Sequence, residues 1–215
     1  MDLKFIRRPF RYASFNALYW LIGINLLVFA LPFFLGRNFW ELFVVLLSMN
    51  PALVIEHKFI WTFVTYMFMH ADLTHILFNM FGLFVFGMHL ERQMGSKEFL
   101  LYYFVTGTLA GIFSFVIYYL TNNFEVFLMG ASGALFAVML AYAIFFPTSI
   151  IYIFAVIPVR APLMVLGYTV ISIFFILTGR GGNIAHSTHL AGFIFGWIYF
   201  TVRFGVNPWR RLTGR

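Results

Sequence analysis

The sequence has no cysteine among its 215 residues, which excludes disulfides, thiol nucleophiles and thiolate metal sites. Charge is nearly as scarce: 10% of residues are Asp, Glu, Lys or Arg, and only seven are acidic. So few polar groups could not cover a soluble globule of this length. Repeats and low-complexity segments are also missing. What is present is apolar, with 62% hydrophobic residues, 22% aromatic residues and a mean hydropathy of +0.91. That composition implies an integral membrane protein, long enough for one compact bundle and too short to add a sizeable soluble domain. Any chemistry must come from serine, histidine, asparagine or a carboxylate.

The apolar runs predict six spans, at about 16–35, 73–90, 99–120, 126–146, 163–177 and 184–204. The expected fold is therefore an all-α polytopic bundle, a single domain over 1–215 with short basic tails. The first run is longer than a signal-peptide core and lacks a small-residue cleavage site, so it reads as a retained span. Six spans put both termini on one side of the bilayer. Of the 14 basic residues, Lys4, Arg7, Arg8, Arg11, Arg92, Lys97, Arg160, Arg203, Arg210, Arg211 and Arg215 fall on that side, against Arg37, Lys58 and Arg180 on the other. This bias predicts cytoplasmic termini and explains the net charge of +7 without a nucleic-acid partner.

Between the first two runs, residues 39–47 suit an interfacial helix, and Trp40 and Trp61 suit the headgroup boundary. Glu91, Arg92, Lys97 and Glu98 around Gly95 read as a short turn between spans. Residues 148–162, broken by Pro158, Arg160 and Pro162, read as a short re-entrant or interfacial piece. Gly179, Gly181 and Gly182 suggest a flexible outer loop.

Polar residues stand out against this background. The second, fourth and sixth runs all enter from the outer face, and each carries polar groups near its start: His75 and Asn79, Ser132, and His189. Their depth is similar, as a shared site requires. His75 and Asn79, four apart, share a helix face; His189, Gly192 and Gly196 form another stripe, matched by Gly133, Ala137 and Ala141 on the fourth run. These small-residue stripes predict direct packing with Ser132 opposite His189. A serine in an apolar helix can also simply bond back to its own backbone. Ionisable groups in hydrocarbon, however, are functional by default. The chemistry that fits is a dyad in which His189 deprotonates Ser132, while the Ser132 backbone N–H and the His75 and Asn79 side chains stabilise an oxyanion. No carboxylate is well placed to complete a triad, because Asp72 and Glu125 read as solvated helix ends. Phe136, one turn below Ser132, is positioned to support the imidazole.

These residues resemble the rhomboid family of intramembrane serine proteases, in its bacterial six-span form. The resemblance rests on His70-Ala-Asp-Leu-Thr-His75-Ile-Leu-Phe-Asn79, on Glu91-Arg92 with Gly95-Ser96, on Gly130-Ala-Ser132-Gly133, and on Ala185-His186-Ser-Thr-His189-Leu-Ala-Gly192, in that order along the chain. It implies Ser132 as nucleophile, His189 as general base, and His75 and Asn79 as oxyanion contributors, with no cofactor. It also implies a bacterial inner-membrane location and substrates that are transmembrane segments of membrane proteins, cut near the outer face where small residues let a helix unwind. Two positions depart from the family. Trp61 is followed by Thr62 where many members have arginine, which puts anchoring of the first loop in question. Phe136 stands where some members have tyrosine. His70 and His186 read as structural hydrogen-bonders.

Three other readings compete. A relative that binds spans without cutting them would normally have lost the serine or the base. A metal site built from His70, His75, His186 and His189, with Asp72 nearby, would leave Ser132 and Asn79 unexplained. A channel or transporter would need polar groups deeper than this cluster. The fifth run, bracketed by Pro158, Pro162 and Gly179 and lacking catalytic residues, is the candidate gate for substrate entry.

Overall fold

A computed structural model of the chain describes residues 7–153, 156–179 and 185–213. Lys4, Arg180, Gly181, Gly182, Ile184 and Arg215, used above in assigning sides, a loop and the start of a span, lie outside the described residues. The protein is a mostly helical membrane bundle. Among the described residues, four helices are long and apolar enough to cross a bilayer: α1 (Ala17–Leu35), α5 (Leu73–Met94), α6 (Ser96–Leu120) and α8 (Ala161–Thr178). Two shorter ones, α7 (Ser132–Phe145) and α9 (His186–Tyr199), stand with them. A π-helical turn at Phe200–Phe204 continues α9 and leads to the short α10 (Pro208–Thr213).

The fold is not purely helical. Residues 148–162, expected as a re-entrant or interfacial piece, contain a hairpin in which β1 (Ile150–Ile153) pairs antiparallel with β2 (Ile157–Arg160). Its β-branched isoleucines and valine suit a pleated strand, and Pro158, which lacks a donor, sits on a strand with only one partner. The first loop is also more structured than a single interfacial helix. It holds α2 (Arg37–Leu47), α3 (Pro51–His57), α4 (Thr62–Thr65) and a 3₁₀ turn at Tyr66–Phe68.

The turn between α5 and α6 is shorter than expected. Only Gly95 separates the helices, at φ +81°, so Glu91 and Glu98 are helical residues and both are buried. Each carboxylate has a structural task. Glu91 accepts the backbone N–H groups of Ala17 (2.7 Å) and Leu18 (3.0 Å) and the hydroxyl of Ser96, so it caps the start of α1 across the bundle. Glu98 is held by Arg203 through two bonds (2.8 and 2.9 Å), by the Tyr199 hydroxyl (2.6 Å) and by Phe10 N–H (3.0 Å), tying α6 to the end of α9 and to the N-terminal segment. Glu91→Gln keeps the shape but turns one acceptor into a donor facing N–H groups. It should cost about 1.5–3 kcal/mol of stability, read as a lower unfolding midpoint in detergent. An unchanged midpoint would show that the cap does not hold α1.

At the centre is α7, with 11 of its 14 residues buried and α5, α6, α8 and α9 packed around it. Such an all-round apolar helix belongs in the interior. At about 1.5 Å per residue it is shorter than the roughly 30 Å hydrocarbon layer. It starts at Ser132, not near residue 126 as the apolar run suggested. Residues 126–131 are non-helical: Met49 and Leu128 exchange backbone bonds of 3.0 and 2.8 Å as an isolated bridge, and Gly130 takes φ +114°.

Candidate active site

Contacts from the first loop fix the chain leading into α7. Asn50, which also caps α3, donates through Nδ2 to the carbonyls of Phe124 (3.0 Å) and Val126 (3.2 Å). Gly130 N–H donates to the Tyr66 carbonyl at 2.9 Å. His70, fully buried, accepts the Ala131 N–H through Nε2 at 3.4 Å. Burial first, and then neighbouring His75, pushes the His70 imidazole down to about 3, so it remains a neutral acceptor. The first loop is anchored in turn. Trp61 Nε1 donates to Leu46 (2.8 Å), the Thr65 hydroxyl donates to Leu47 (2.8 Å), and buried Thr62 donates to Phe59. Thr62 therefore belongs to a loop that is anchored at several points.

Ser132 is the first residue of α7, where backbone N–H groups have no intrahelical partner and the helix dipole is positive. Opposite it, α9 begins at His186 and carries His189 on its first turn. His189 Nε2 and Ser132 Oγ are 2.9 Å apart, within hydrogen-bond reach. The approach of the two helices depends on glycine. A Cβ on Gly192 would collide with the carbonyl oxygen of Gly133, and one on Gly196 would lie 2.6 Å from the Tyr102 hydroxyl. Thr188, next to His189 and buried, shares a 2.6 Å hydrogen bond with Ser114 of α6 and so fixes the rotation of α9. The His189 ring stacks on Phe136, with centroids 4.2 Å apart and planes inclined by 16°.

On α5, Asp72 caps the helix by accepting His75 N–H at 2.8 Å, so it acts as a helix end and not as a partner of the imidazoles. Glu125 is exposed. His75 Nδ1 accepts the Ala71 N–H at 3.4 Å, which assigns the ring proton to Nε2 as a donor. That nitrogen lies against Gly130: a Cβ there would be 2.5 Å away, so only glycine fits both the space and the positive φ. Buried Asn79 spends one amide N–H on the His75 carbonyl at 2.9 Å and keeps a second donor. The structure thus joins Ser132 to His189 directly, sets His75 beside Gly130, and holds Asn79 against its own helix one turn deeper. His186 stacks on Phe175 of α8 (4.8 Å, 22°). The four histidines form two separate edge-to-face pairs, His70–His75 at 5.0 Å and His186–His189 at 6.0 Å. Among the described residues no three His, Asp or Glu side chains converge as metal ligands.

Fold and site together define a polytopic helical membrane protein with a serine–histidine pair at the head of a short central helix. The rhomboid domain pattern matches residues 57–205, and the chain belongs to the rhomboid family. Its relatives include RHOMBOID-like protein 12, mitochondrial, of Arabidopsis thaliana, 30% identical over 71% of this chain and 50% of the relative. Rhomboid protease GluP of Bacillus subtilis is 32% identical over 63% of this chain and 24% of the relative. Rhomboid protein 1, mitochondrial, of Saccharomyces cerevisiae is 27% identical over 89% and 55%. The chain spans about half the length of these relatives, or less.

Proposed function

We propose that the chain is an intramembrane serine endopeptidase that hydrolyses peptide bonds in or near transmembrane segments of membrane proteins. The observation that carries this is the 2.9 Å Ser132–His189 pair. In this reading His189 takes the hydroxyl proton as Ser132 Oγ attacks the scissile carbonyl, then gives it to the departing amine; the acyl-serine is hydrolysed by water activated the same way. The Ser132 backbone N–H, His75 Nε2–H and the remaining N–H of Asn79 donate to the oxyanion. No metal or cofactor has a role. Phe136 holds the imidazole plane by stacking.

The same proposal takes residues 1–215 as one six-span domain, with α7 and α9 as its two short spans. It places both basic termini in the cytoplasm, in the inner membrane of a bacterial cell. The pair then opens to the outer side, where a span with small residues can unwind into it. Helix α8 admits the substrate. It packs on α7 and α9 with little contact to α5, so it is the long helix that can swing with least loss.

The test is reconstitution of the purified chain in liposomes with a single-span substrate carrying a small-residue stretch at its outer end. Cleavage at that end, blocked by a fluorophosphonate that modifies one serine per chain, is the expected result. Capture of the span by a folded protein with no product would favour a non-cleaving binder instead.

A further inference from the structure

His189 has a base's usual place but lacks the usual third group: among the described residues no carboxylate is hydrogen-bonded or ion-paired to it. An imidazole on a broad, two-fold torsion needs something to choose its plane. Two rings border it, Phe136 on its face (4.2 Å, 16°) and His186 at its edge (6.0 Å, 81°). Each of those rings is backed by α8. Tyr168 meets Phe136 edge-on at 5.4 Å, and Phe175 stacks on His186 at 4.8 Å. Tyr168 and Phe175 are seven residues apart and so lie on one face of the helix.

We infer that Tyr168 and Phe175 are positioning residues for His189. Through Phe136 and His186 they make the orientation of the base depend on α8 being seated. This rests on the serine-protease reading and deepens it. Helix α8 would then admit the substrate and, on returning, restore the base, so that an open site is a weak one. Much of the rest of α8 is apolar surface turned away from the bundle, Leu163, Leu166, Val170, Phe174 and Leu177 among it. Tyr168 and Phe175 are the α8 rings that touch the two rings bordering His189.

The test separates positioning from gating. A small fluorophosphonate enters from the aqueous side and does not need α8 to move, so a purely gating residue should not change its labelling rate. Tyr168→Leu and Phe175→Leu should each label about 3- to 10-fold more slowly, as expected for loss of one ring contact. Span cleavage should fall in kcat with KM little changed. Tyr168→Phe and Phe175→Tyr, which keep the rings, should restore the rate. Ile176→Ala, at a 45% exposed position on the same helix, serves as the control for general disturbance. Rates are taken per folded molecule, and Met variants replace any Leu variant that does not fold. Leu or Met variants that label at the parent rate would overturn the inference, as would an equal slowing by Ile176→Ala. A parent chain that does not label would overturn the protease reading and this inference together.

Discussion

Ser132→Ala should abolish both fluorophosphonate labelling and span cleavage, and His189→Ala should do nearly as much damage. The two residues act as one unit: without the base the hydroxyl is a poor nucleophile, and without the hydroxyl the base has nothing to activate. In soluble serine proteases such losses reach about 10⁶-fold in kcat, and a hydrogen bond of 2.9 Å between the groups gives reason to expect a similar dependence here. The double variant should be no worse than either single one. Asn79→Ala, which in the proposed mechanism removes one oxyanion donor, should cost less, about 10²–10³-fold, while leaving slow labelling. This order, with serine and histidine at the floor and Asn79 above it, is specific to covalent catalysis. Ser132→Ala should lower the unfolding midpoint only slightly, because it removes a single hydrogen bond between α7 and α9, worth about 0.5–1.5 kcal/mol. Span cleavage that survives Ser132→Ala would sink the dyad.

How far the sequence reveals this arrangement differs from one part to another. The meeting of Ser132 and His189 could be anticipated because equal depth and two small-residue stripes leave few other ways to pair α7 with α9. Phe136 against His189 follows from the same spacing. Helix α7 starts about six residues after the apolar run does. Val126, Phe127 and Leu128 look like the opening of a span, and only the positive φ of Gly130 and the bridge to Met49 reveal a non-helical approach. Glu91 and Glu98 look like part of a turn in the sequence, because charge near a helix end usually faces water. Their burial depends on the backbone N–H groups of Ala17 and Leu18 and on Arg203, partners more than 70 residues away in sequence. The contributions of Asn50, Tyr66 and the Ser114–Thr188 pair are not legible in the sequence for the same reason. Each acts through a backbone carbonyl, a backbone N–H or a single hydroxyl, and carries no sequence pattern. The hairpin at β1 and β2 could have been suspected from Ile150, Ile151, Ile153 and Ile157 flanking a short turn, had apolarity not suggested a membrane segment first.

Gly192→Ala is the smallest change that should separate the site's parts. Alanine is the better helix former by about 1 kcal/mol, so in open space the substitution stabilises. Gly23 on α1 shows that case: nothing lies within 4 Å of the position a Cβ would take, and Gly23→Ala should be neutral or slightly stabilising. At Gly192 the added carbon meets the carbonyl oxygen of Gly133, a backbone atom one residue beyond Ser132. No rotamer can relieve that contact, so α7 and α9 must move apart. Overpacking of this kind costs about 1–3 kcal/mol, which outweighs the gain in helix propensity. The larger effect falls on catalysis. The Ser132–His189 bond crosses the same interface, and a displacement of about 1 Å is enough to cost roughly 10²-fold in rate. Labelling rate and span cleavage should therefore drop together by about that factor in a protein that still folds, whereas Gly23→Ala retains the parent values. Gly192→Ala with parental activity would mean that the two helices need not approach this closely for the serine to be activated.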